Sequence, residues 1–442
     1  MGCPFSNRTG SIERYFRRDV ITMALAAGGF GALAACVEVE GSPDVPMGTS
    51  DLDEIPERQF AWNEYLSRDQ HHNTVFPHHQ VILFLDFVSD GLPTESERNT
   101  VAAMFDTIDR AYQRGNGGRD PHHPGGTNTP GLLYTMGYSG SYFERFDEPL
   151  PASAGLGDLR TMIEAIDEDP DIADPYDAAL VLTSDHAEVL LAIELALYGD
   201  IGTLNGVTVE GTFDGILEVA ERRTGFVGAG VPRRELDRDD IPSRSPLAMG
   251  FVSGFADNQA TEDRVAIDEG PFRDGSVQQI SRLQLDLDKW YQFSLDERID
   301  RMFSPEHDEA DVGEVGQLLA SDSGLTVEMD EMLEEHATEL GIVGHTQKLA
   351  ASRDENFEPK ILRRSEAVST DDPHPGMNFT SLQRDIEDFV AVRKAMNGDH
   401  LDIDLDKQND GILAFIEVSN RATFLVPPRS RIALPSSRPE AT

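Results

Sequence analysis

Cysteine is nearly absent from this sequence: its 442 residues contain only Cys3 and Cys36. A disulfide framework is therefore excluded for the rest of the chain, and a hydrophobic core has to stabilise the fold. Lysine is also scarce, with five residues in all, and acidic residues outnumber basic ones by 80 to 37, for a formal net charge of -43. Nucleic acid is excluded as a partner, because phosphate binding needs a basic surface.

The acidic residues are spread through every segment of the chain. A surface of one sign repels itself in dilute solution, whereas molar salt screens that repulsion over short distances. An ordinary acidic protein or a cation buffer is the alternative, but its acidic residues would cluster in tails. The distribution therefore predicts a halophilic host.

The first 36 residues predict export. Arg17 and Arg18 precede an apolar run, 20–35, that is shorter than the roughly twenty apolar residues of a membrane-spanning helix. Such a segment is typical of a removable targeting signal, and paired arginines indicate the twin-arginine route. The run ends in "LAAC", which resembles a lipobox and predicts that lipidated Cys36 anchors the protein to the outer face of the cytoplasmic membrane. Myristoylation at "MGCPFS" is the rival interpretation, but it ignores the export segment.

The remaining chain divides into a linker, two similar segments and a tail. Residues 37–76 are rich in Pro, Gly, Asp and Glu, which predicts a flexible acidic tether. Residues 77–245 and 246–430 then show the same order of strand-like and helix-like stretches, which is that of a split βαβ unit, and 431–442 form the tail. The predicted fold class is α+β, with two ferredoxin-like halves that each have an antiparallel sheet and helices on one face.

Five stretches carry a resemblance to a known family. "HQVILFLDFV" is similar to its first strand, "LLYTMGYSGSYFERF" to its second strand, and "GFVSGFADN" to its GxxDG segment. "ISRLQLDLDKWYQFSLDERIDRM" resembles the strand and helix that open its second half, and "GHTQKLAASRDENFEPKILRRSEA" has its histidine and arginine at the family's spacing. The chain thus resembles a divergent, halophilic archaeal member of the dye-decolourising (DyP-type) peroxidases, which are haem proteins of the dimeric α/β-barrel superfamily.

The resemblance implies specific site residues. His345 falls on the proximal ligand of the iron of haem b, and Arg363 on the distal arginine that faces hydrogen peroxide. Arg301 falls near the haem, where it is implied to contact a propionate. Ser253 replaces the family's distal aspartate, and Asp257, four residues on, is the carboxylate expected to take over its proton transfer. Ser253→Asp is therefore expected to raise the rate of reaction with peroxide.

Structural roles compete with these assignments. A lone histidine is more often structural than a ligand, and Arg363 with Arg364 could instead hold acidic loops together. The doubled histidines at 71–72, 78–79 and 122–123 are favoured as loop residues over metal ligands, because neighbours on an extended strand point to opposite faces.

The predicted function is that of an exported haem peroxidase, which reduces hydrogen peroxide and oxidises an unknown organic donor by one-electron steps. The rival is a non-catalytic protein of the same fold, which stores or transfers haem or binds none and remains a surface lipoprotein. Haem handling with iron release is a third alternative. A carboxylate on the second nitrogen of His345 would strengthen it as a ligand, and Asp399, Asp402 and Asp404 are candidates. Self-association stays open.

Overall fold

The computed structural model describes residues 45–118, 129–399 and 406–439, and of residues 330 and 331 it describes the backbone only. The predicted export signal with Cys36, the histidine doublet at 122–123, and both Asp402 and Asp404 lie outside the described residues. No helix in the described ranges is long and apolar enough to cross a membrane.

Most strands of the described residues belong to one large sheet, and two short pairs flank it. The strands are β1 (Ser67–Arg68), β2 (Thr74–Val75), β3 (His79–Phe87), β4 (Leu133–Tyr138), β5 (Ala178–Ser184), β6 (Thr203–Leu204), β7 (Val207–Thr208), β8 (Leu217–Phe226), β9 (Ser276–Leu285), β10 (Leu362–Ser369), β11 (Gly376–Gln383) and β12 (Ile416–Val426). The large sheet is antiparallel and closes on itself in the order β10-β11-β9-β12-β4-β5-β3-β8.

Each half of the closed sheet has a ferredoxin-like strand order. The first half runs β4-β5-β3-β8 and the second runs β10-β11-β9-β12, so the first strand of each half lies between its third and fourth. Single residue pairs join the halves, Val368 with Phe226 and Leu425 with Tyr138. The predicted α+β fold class with two ferredoxin-like halves is confirmed.

The helices of the described residues connect and cover these strands. They are α1 (Glu95–Ala111), α2 (Gly140–Phe143), α3 (Leu159–Ala165), α4 (Ala187–Leu197), α5 (Val231–Glu235), α6 (Glu262–Val265), α7 (Leu287–Trp290), α8 (Leu295–Met302), α9 (Glu309–Val312), α10 (Glu328–Glu339), α11 (His345–Ala351) and α12 (Ile386–Asn397). In the second half, α11 precedes β10 and α12 follows β11, as the two helices of a split βαβ unit do.

Strand β3 shows why the sheet needs apolar residues on both faces. Successive strand residues point to opposite sides, so Val81 and Leu83 pack into the core beneath α1 and α4. Ile82 and Phe84 instead pack inside the closed sheet, together with residues of β5, β9 and β12. Closure of the sheet therefore explains the unbroken apolar run that begins this half.

The flexible tether predicted for residues 37–76 is wrong for its described part, 45–76. Phe60, Trp62 and Leu66 are fully buried in that segment. Its Gln59 side chain donates to the carbonyl oxygens of Met136 and Pro427, 3.1 and 2.8 Å away. The segment was misjudged because a few large apolar side chains, diluted among polar residues, fix it to the body of the protein.

Candidate functional site

A cavity of about 920 Å³ lies between the second half of the sheet and helices α11 and α12. Strands β9 to β12 form one wall, and Leu349, Phe389 and Val392 of the helices face it. A smaller cavity of about 100 Å³ shares His345 and Arg363 with it. Ligand pockets in proteins commonly measure roughly 300–1,000 Å³, so the larger cavity has room for a large organic cofactor.

A row of paired residues crosses the strand wall. Glu366 of β10 pairs with Phe379 of β11, which pairs with Ser281 of β9, which pairs with Arg421 of β12. Directly opposed residues share a face of an antiparallel sheet, and all four line the cavity. The register therefore places the Glu366 carboxylate at one end of the wall and the Arg421 guanidinium at the other.

A bulge in β10 brings Arg363 and Glu366 to the same face. Arg363 pairs with Ser381, and Ser365 already pairs with Thr380, so Arg364 is an extra residue in the strand. Without a bulge, residues three apart would point to opposite sides of the sheet. Both Arg363 and Glu366 consequently line the cavity.

Arg363, Glu366 and Ser253 are in mutual contact. The Nη1 atom of Arg363 donates to Glu366 Oε1 at 3.0 Å and to Ser253 Oγ at 3.3 Å. Ser253 Oγ donates in turn to Glu366 Oε2. The side chains of Arg363 and Glu366 are 14% and 12% exposed, so this polar group is largely shielded from solvent.

Neighbouring backbone and side chains fix His345 at the start of α11. Gly344 packs so closely against the Phe303 carbonyl oxygen that a Cβ on it would lie 2.0 Å from that atom. Two residues of the helix, Gln347 and Lys348, anchor it further: Gln347 accepts from Gly344 N at 2.8 Å, and buried Lys348 donates to the Met396 carbonyl oxygen at 2.8 Å. The imidazole therefore has a defined position.

The His345 imidazole is held in its neutral form. Burial, followed by the positive charges of Arg363, Lys348 and Arg393, lowers its pKa to about 3. Its Nδ1 atom is buried and has no hydrogen-bond partner among the described residues. Asp399 lines the same cavity without bonding to that nitrogen. A neutral imidazole is the form that binds a metal ion.

Two arginines form a cationic cluster elsewhere on the cavity wall. The Nη2 atoms of Arg421 and Arg393 donate to Glu168 Oε1 at 2.6 and 3.1 Å. Arg421 Nη1 also donates to Ser281 Oγ at 2.7 Å, whereas the buried Arg393 Nε has no partner among the described residues. Glu168 neutralises one of the two charges, which leaves a net positive cluster in a strongly acidic protein.

Two predicted site residues lie elsewhere, and the structure corrects their assignments. Arg301 donates to the Gln408 carbonyl oxygen, the Glu297 carbonyl oxygen and Asn409 Oδ1, all within 2.8 Å, and it lines neither cavity. Asp257 Oδ2 accepts from Ser321 Oγ at 2.7 Å, and this residue also lines neither cavity. Arg301 therefore binds the loop before β12, and the Asp257 carboxylate bonds to Ser321, whereas Arg363 bonds to Ser253 and Glu366.

Arg363 and Arg364, which are neighbours on β10, have different roles. Arg364 points away from the cavity, donates to the Phe60 carbonyl oxygen at 2.7 Å and pairs with Glu262. It thus has the loop-binding role considered for both arginines, whereas Arg363 faces the cavity. In the described ranges, no group of three or more His, Cys, Asp or Glu is arranged to hold a metal ion. His78, which belongs to one of the histidine doublets, has its Nδ1 atom 3.3 Å from Asp185 Oδ1.

Sequence reasoning missed Glu366, Arg393, Arg421 and Glu168. Glu366 was within the quoted stretch, but strand alternation would have placed it opposite Arg363, and no residue type marks the bulge. Arg393 lies on the cavity side of the amphipathic helix α12, which was a usable signal.

The cavity residues fit a haem. His345 offers a neutral nitrogen ligand, apolar side chains such as Phe379 and Phe389 line the walls, and Arg393 and Arg421 offer positive charge for carboxylates. Arg393 also has a buried Nε without a partner among the described residues, so its guanidinium is not fully satisfied by the protein.

Solved structures similar to this chain are DyP-type peroxidases. A dye-decolorizing protein from V. cholerae is 14% identical, with a TM-score of 0.49 over 84% of this chain and 98% of that chain. A dye-decolorizing peroxidase from Bacteroides thetaiotaomicron is 13% identical, with a TM-score of 0.48 over 84% and 98%. A DypB variant from Rhodococcus jostii in complex with heme is 15% identical, with a TM-score of 0.46 over 82% and 97%. At these identities the likeness concerns the fold alone.

Sequence comparison assigns the chain to a family without assigning an activity. No curated protein matches it. Residues 77–428 match a family described as a family of unknown function, DUF7405. The match spans both ferredoxin-like halves and every residue of the candidate site, and the chain belongs to this family.

Proposed function

We propose that this protein binds haem b and reduces hydrogen peroxide while it oxidises an organic donor by one-electron steps. A single observation carries the proposal: a neutral imidazole, His345, and a cavity-facing guanidinium, Arg363, line the same large cavity. His345 would ligate the iron. Arg393 and Arg421 would pair with the propionates in place of Arg301.

The cofactor supplies the redox chemistry, and the chain supplies binding and electrostatics. A haem with one protein ligand and one open face can react with peroxide and then take electrons from donors. Leu349, Phe379 and Phe389 would bury its faces and keep bulk water away from them.

Arg363 would stabilise the negative charge that develops on the departing peroxide oxygen. A guanidinium keeps its proton throughout, and it costs no reorganisation when neighbours already hold it in place. Glu366 and Ser253 hold Arg363 Nη1 by two hydrogen bonds. The other guanidinium nitrogens of Arg363 have no such bond among the described residues and remain available for a ligand in the cavity.

A second candidate function is haem binding without rapid peroxide turnover. The observation that favours it is His345 Nδ1, which has no acceptor among the described residues. A carboxylate on that nitrogen would make the imidazole a stronger donor, and among the described residues none bonds to it, which favours storage, transfer or electron exchange.

We also propose export by the twin-arginine route and anchorage through lipidated Cys36, with molar salt outside. Support for this part is the sequence of residues 17–36 and the excess of acidic residues. The protein is therefore expected to react with its organic donor on the outer side of the cytoplasmic membrane.

The two candidates are distinguished by the reaction of the haem-loaded protein with peroxide, followed by stopped-flow absorption in molar salt. Arg363→Leu is expected to lower the second-order rate constant by about 10²- to 10³-fold, as loss of one charge-stabilising donor does. Arg363→Lys should retain part of the rate, because it keeps the charge without the planar donor set. Arg234→Lys, at an exposed position of α5, is the matched control.

Haem content and the Soret band should stay unchanged in these Arg363 variants. A wild-type protein that binds haem and does not react with peroxide would leave the haem-binding candidate. An Arg363→Leu variant as fast as wild type would refute the role of Arg363.

A further inference from the structure

Glu366 is the acid that contacts Arg363 inside the cavity. Its Oε1 atom accepts from Arg363 Nη1 at 3.0 Å, and its Oε2 atom accepts from Ser253 Oγ. The carboxylate thus lies beside the guanidinium that would face peroxide. Its side chain is 12% exposed, which shields a proton held there from bulk water.

Three other acids at or near the cavity are poorly placed for this task. Asp257 bonds to Ser321 and lines neither cavity. Glu168 lies between Arg393 and Arg421, and Glu417 is exposed at the cavity edge. Among the described residues, Glu366 is therefore the carboxylate bonded to Arg363.

We propose that Glu366 is a catalytic residue, whose carboxylate takes the proton from hydrogen peroxide and returns it to the departing oxygen. This inference rests on the proposed peroxidase function. In the first transfer, one O–H bond of peroxide breaks and one O–H bond forms on Glu366. In the return, that proton goes to the distal oxygen as the O–O bond breaks, so the oxygen leaves as water and Glu366 is again a carboxylate. The haem, which the proposed function requires, would supply the two electrons for this cleavage.

Ser253 then complements Glu366 instead of marking a loss. A serine at this position is short enough for its hydroxyl to bond to a carboxylate that arrives from β10. An aspartate there would set a second negative charge against Glu366, and like charges in one site disfavour their joint ionisation. The carboxylate beside Arg363 is thus at position 366 and not at position 253, and the bulge at Arg364 makes position 366 face the cavity.

Ser253→Asp, which the sequence alone predicts to raise the rate with peroxide, is therefore expected to have the opposite effect. In the wild-type background the substitution should slow the reaction with peroxide, because it crowds Glu366. In a Glu366→Gln background it should restore part of the rate, because it supplies the missing carboxylate beside Arg363.

The test compares Glu366→Gln, Ser253→Asp and the double variant as haem-loaded, full-length proteins. Glu366→Gln keeps the size of the side chain but cannot take up a proton, so the rate constant with peroxide is expected to fall by on the order of 10²- to 10⁴-fold. Haem affinity and the Soret band should not change. Glu355→Gln, an exposed residue between α11 and β10, makes the same change of charge as a control.

Cyanide binding gives a readout that does not depend on turnover. Hydrogen cyanide must lose its proton before the anion binds ferric iron, so Glu366→Gln should slow cyanide association by on the order of 10²-fold, the lower end for general base catalysis. Partial recovery of both rates in the double variant would support proton transfer through the carboxylate.

The failure of this inference differs from the failure of the proposed function. If the wild-type protein binds no haem or does not react with peroxide, the peroxidase proposal falls. If it reacts and Glu366→Gln matches it in both peroxide and cyanide rates, only the role of Glu366 is refuted. Faster peroxide reaction of Ser253→Asp in the wild-type background would also contradict it.

Discussion

Glu168 links the two arginines of the cavity wall, and its substitution should destabilise the whole second half. Arg421 and Arg393 both donate to its Oε1 atom, and Arg421 Nε contacts its Oε2 atom. Glu168→Gln keeps the shape of the side chain, removes its charge and turns an amide NH₂ towards guanidinium donors. The change leaves two arginines close together without their common counter-charge.

The size of the effect follows from burial. The side chains of Arg421 and Glu168 are 3% and 15% exposed, so this is largely a buried ion pair. Removal of one partner from a buried pair costs about 3–5 kcal/mol. Because Glu168 and Arg393 are partly exposed, the expected loss of unfolding free energy is at the lower end of this range, about 3 kcal/mol.

The loss should depend on pH. Burial alone would raise the pKa of Glu168, but the hydrogen bonds and charges of Arg421 and Arg393 outweigh it and lower the pKa below its ordinary value. A depressed carboxyl pKa contributes stability at neutral pH, and that contribution is lost as the pH falls through the folded-state pKa. The wild type and Glu168→Gln should therefore converge in stability in the acid range.

Denaturant unfolding in molar salt, at neutral and at acid pH, measures both effects. The control is Glu164→Gln, an exposed acid on neighbouring α3. Surface substitutions usually change stability by less than about 0.5 kcal/mol. If Glu168→Gln costs no more than the control, the buried ion-pair cluster does not stabilise the fold as argued.

Two more predictions concern His345. Its pKa of about 3 lies below the ordinary 6.5, so in the haem-free protein the unfolded chain binds a proton that the folded chain does not bind. The free energy of unfolding should therefore fall by up to about 1.4 kcal/mol per pH unit as the pH drops from 6.5 towards 3. Denaturant unfolding of His345→Gln should lack that part of the slope, and equal slopes would contradict the burial argument. Gly411→Ala would place a Cβ 3.3 Å from His345 N at a φ of +69°, whereas Gly341→Ala meets nothing within 4 Å at a φ of +67°. Both substitutions should cost about 1–2 kcal/mol of backbone strain, but only Gly411→Ala should weaken haem binding in a titration. Equal haem affinities of the two variants would show that the contact between residue 411 and His345 does not position the histidine.

The fold was predictable from the sequence because local patterns of apolar and polar residues indicate its strands and helices. The apolar run of β3 and the helical spacing of α1 are visible without tertiary information, and the repeated order of elements indicated two ferredoxin-like halves. The ring closure through Val368 and Leu425 depends on long-range pairing, which no local pattern specifies.

The site was predictable only in part. The spacing from His345 to Arg363 suggested one site, and the structure brings both residues to one cavity, while their roles as ligand and distal arginine stay predictions. Arg301 was misassigned because its partners, Gln408 and Asn409, lie more than 100 residues further along the chain. Glu366 was missed because a single bulge decides which face it occupies.

Ligation of a haem by His345 in the cavity of the second half is tested by the absorption spectrum of the full-length protein purified from a haem-supplied, high-salt culture, measured beside His345→Ala. We expect a Soret band in the wild type that is lost or displaced in the variant, while both proteins remain folded by circular dichroism. A wild-type protein without haem, or an identical Soret band in both, would contradict it.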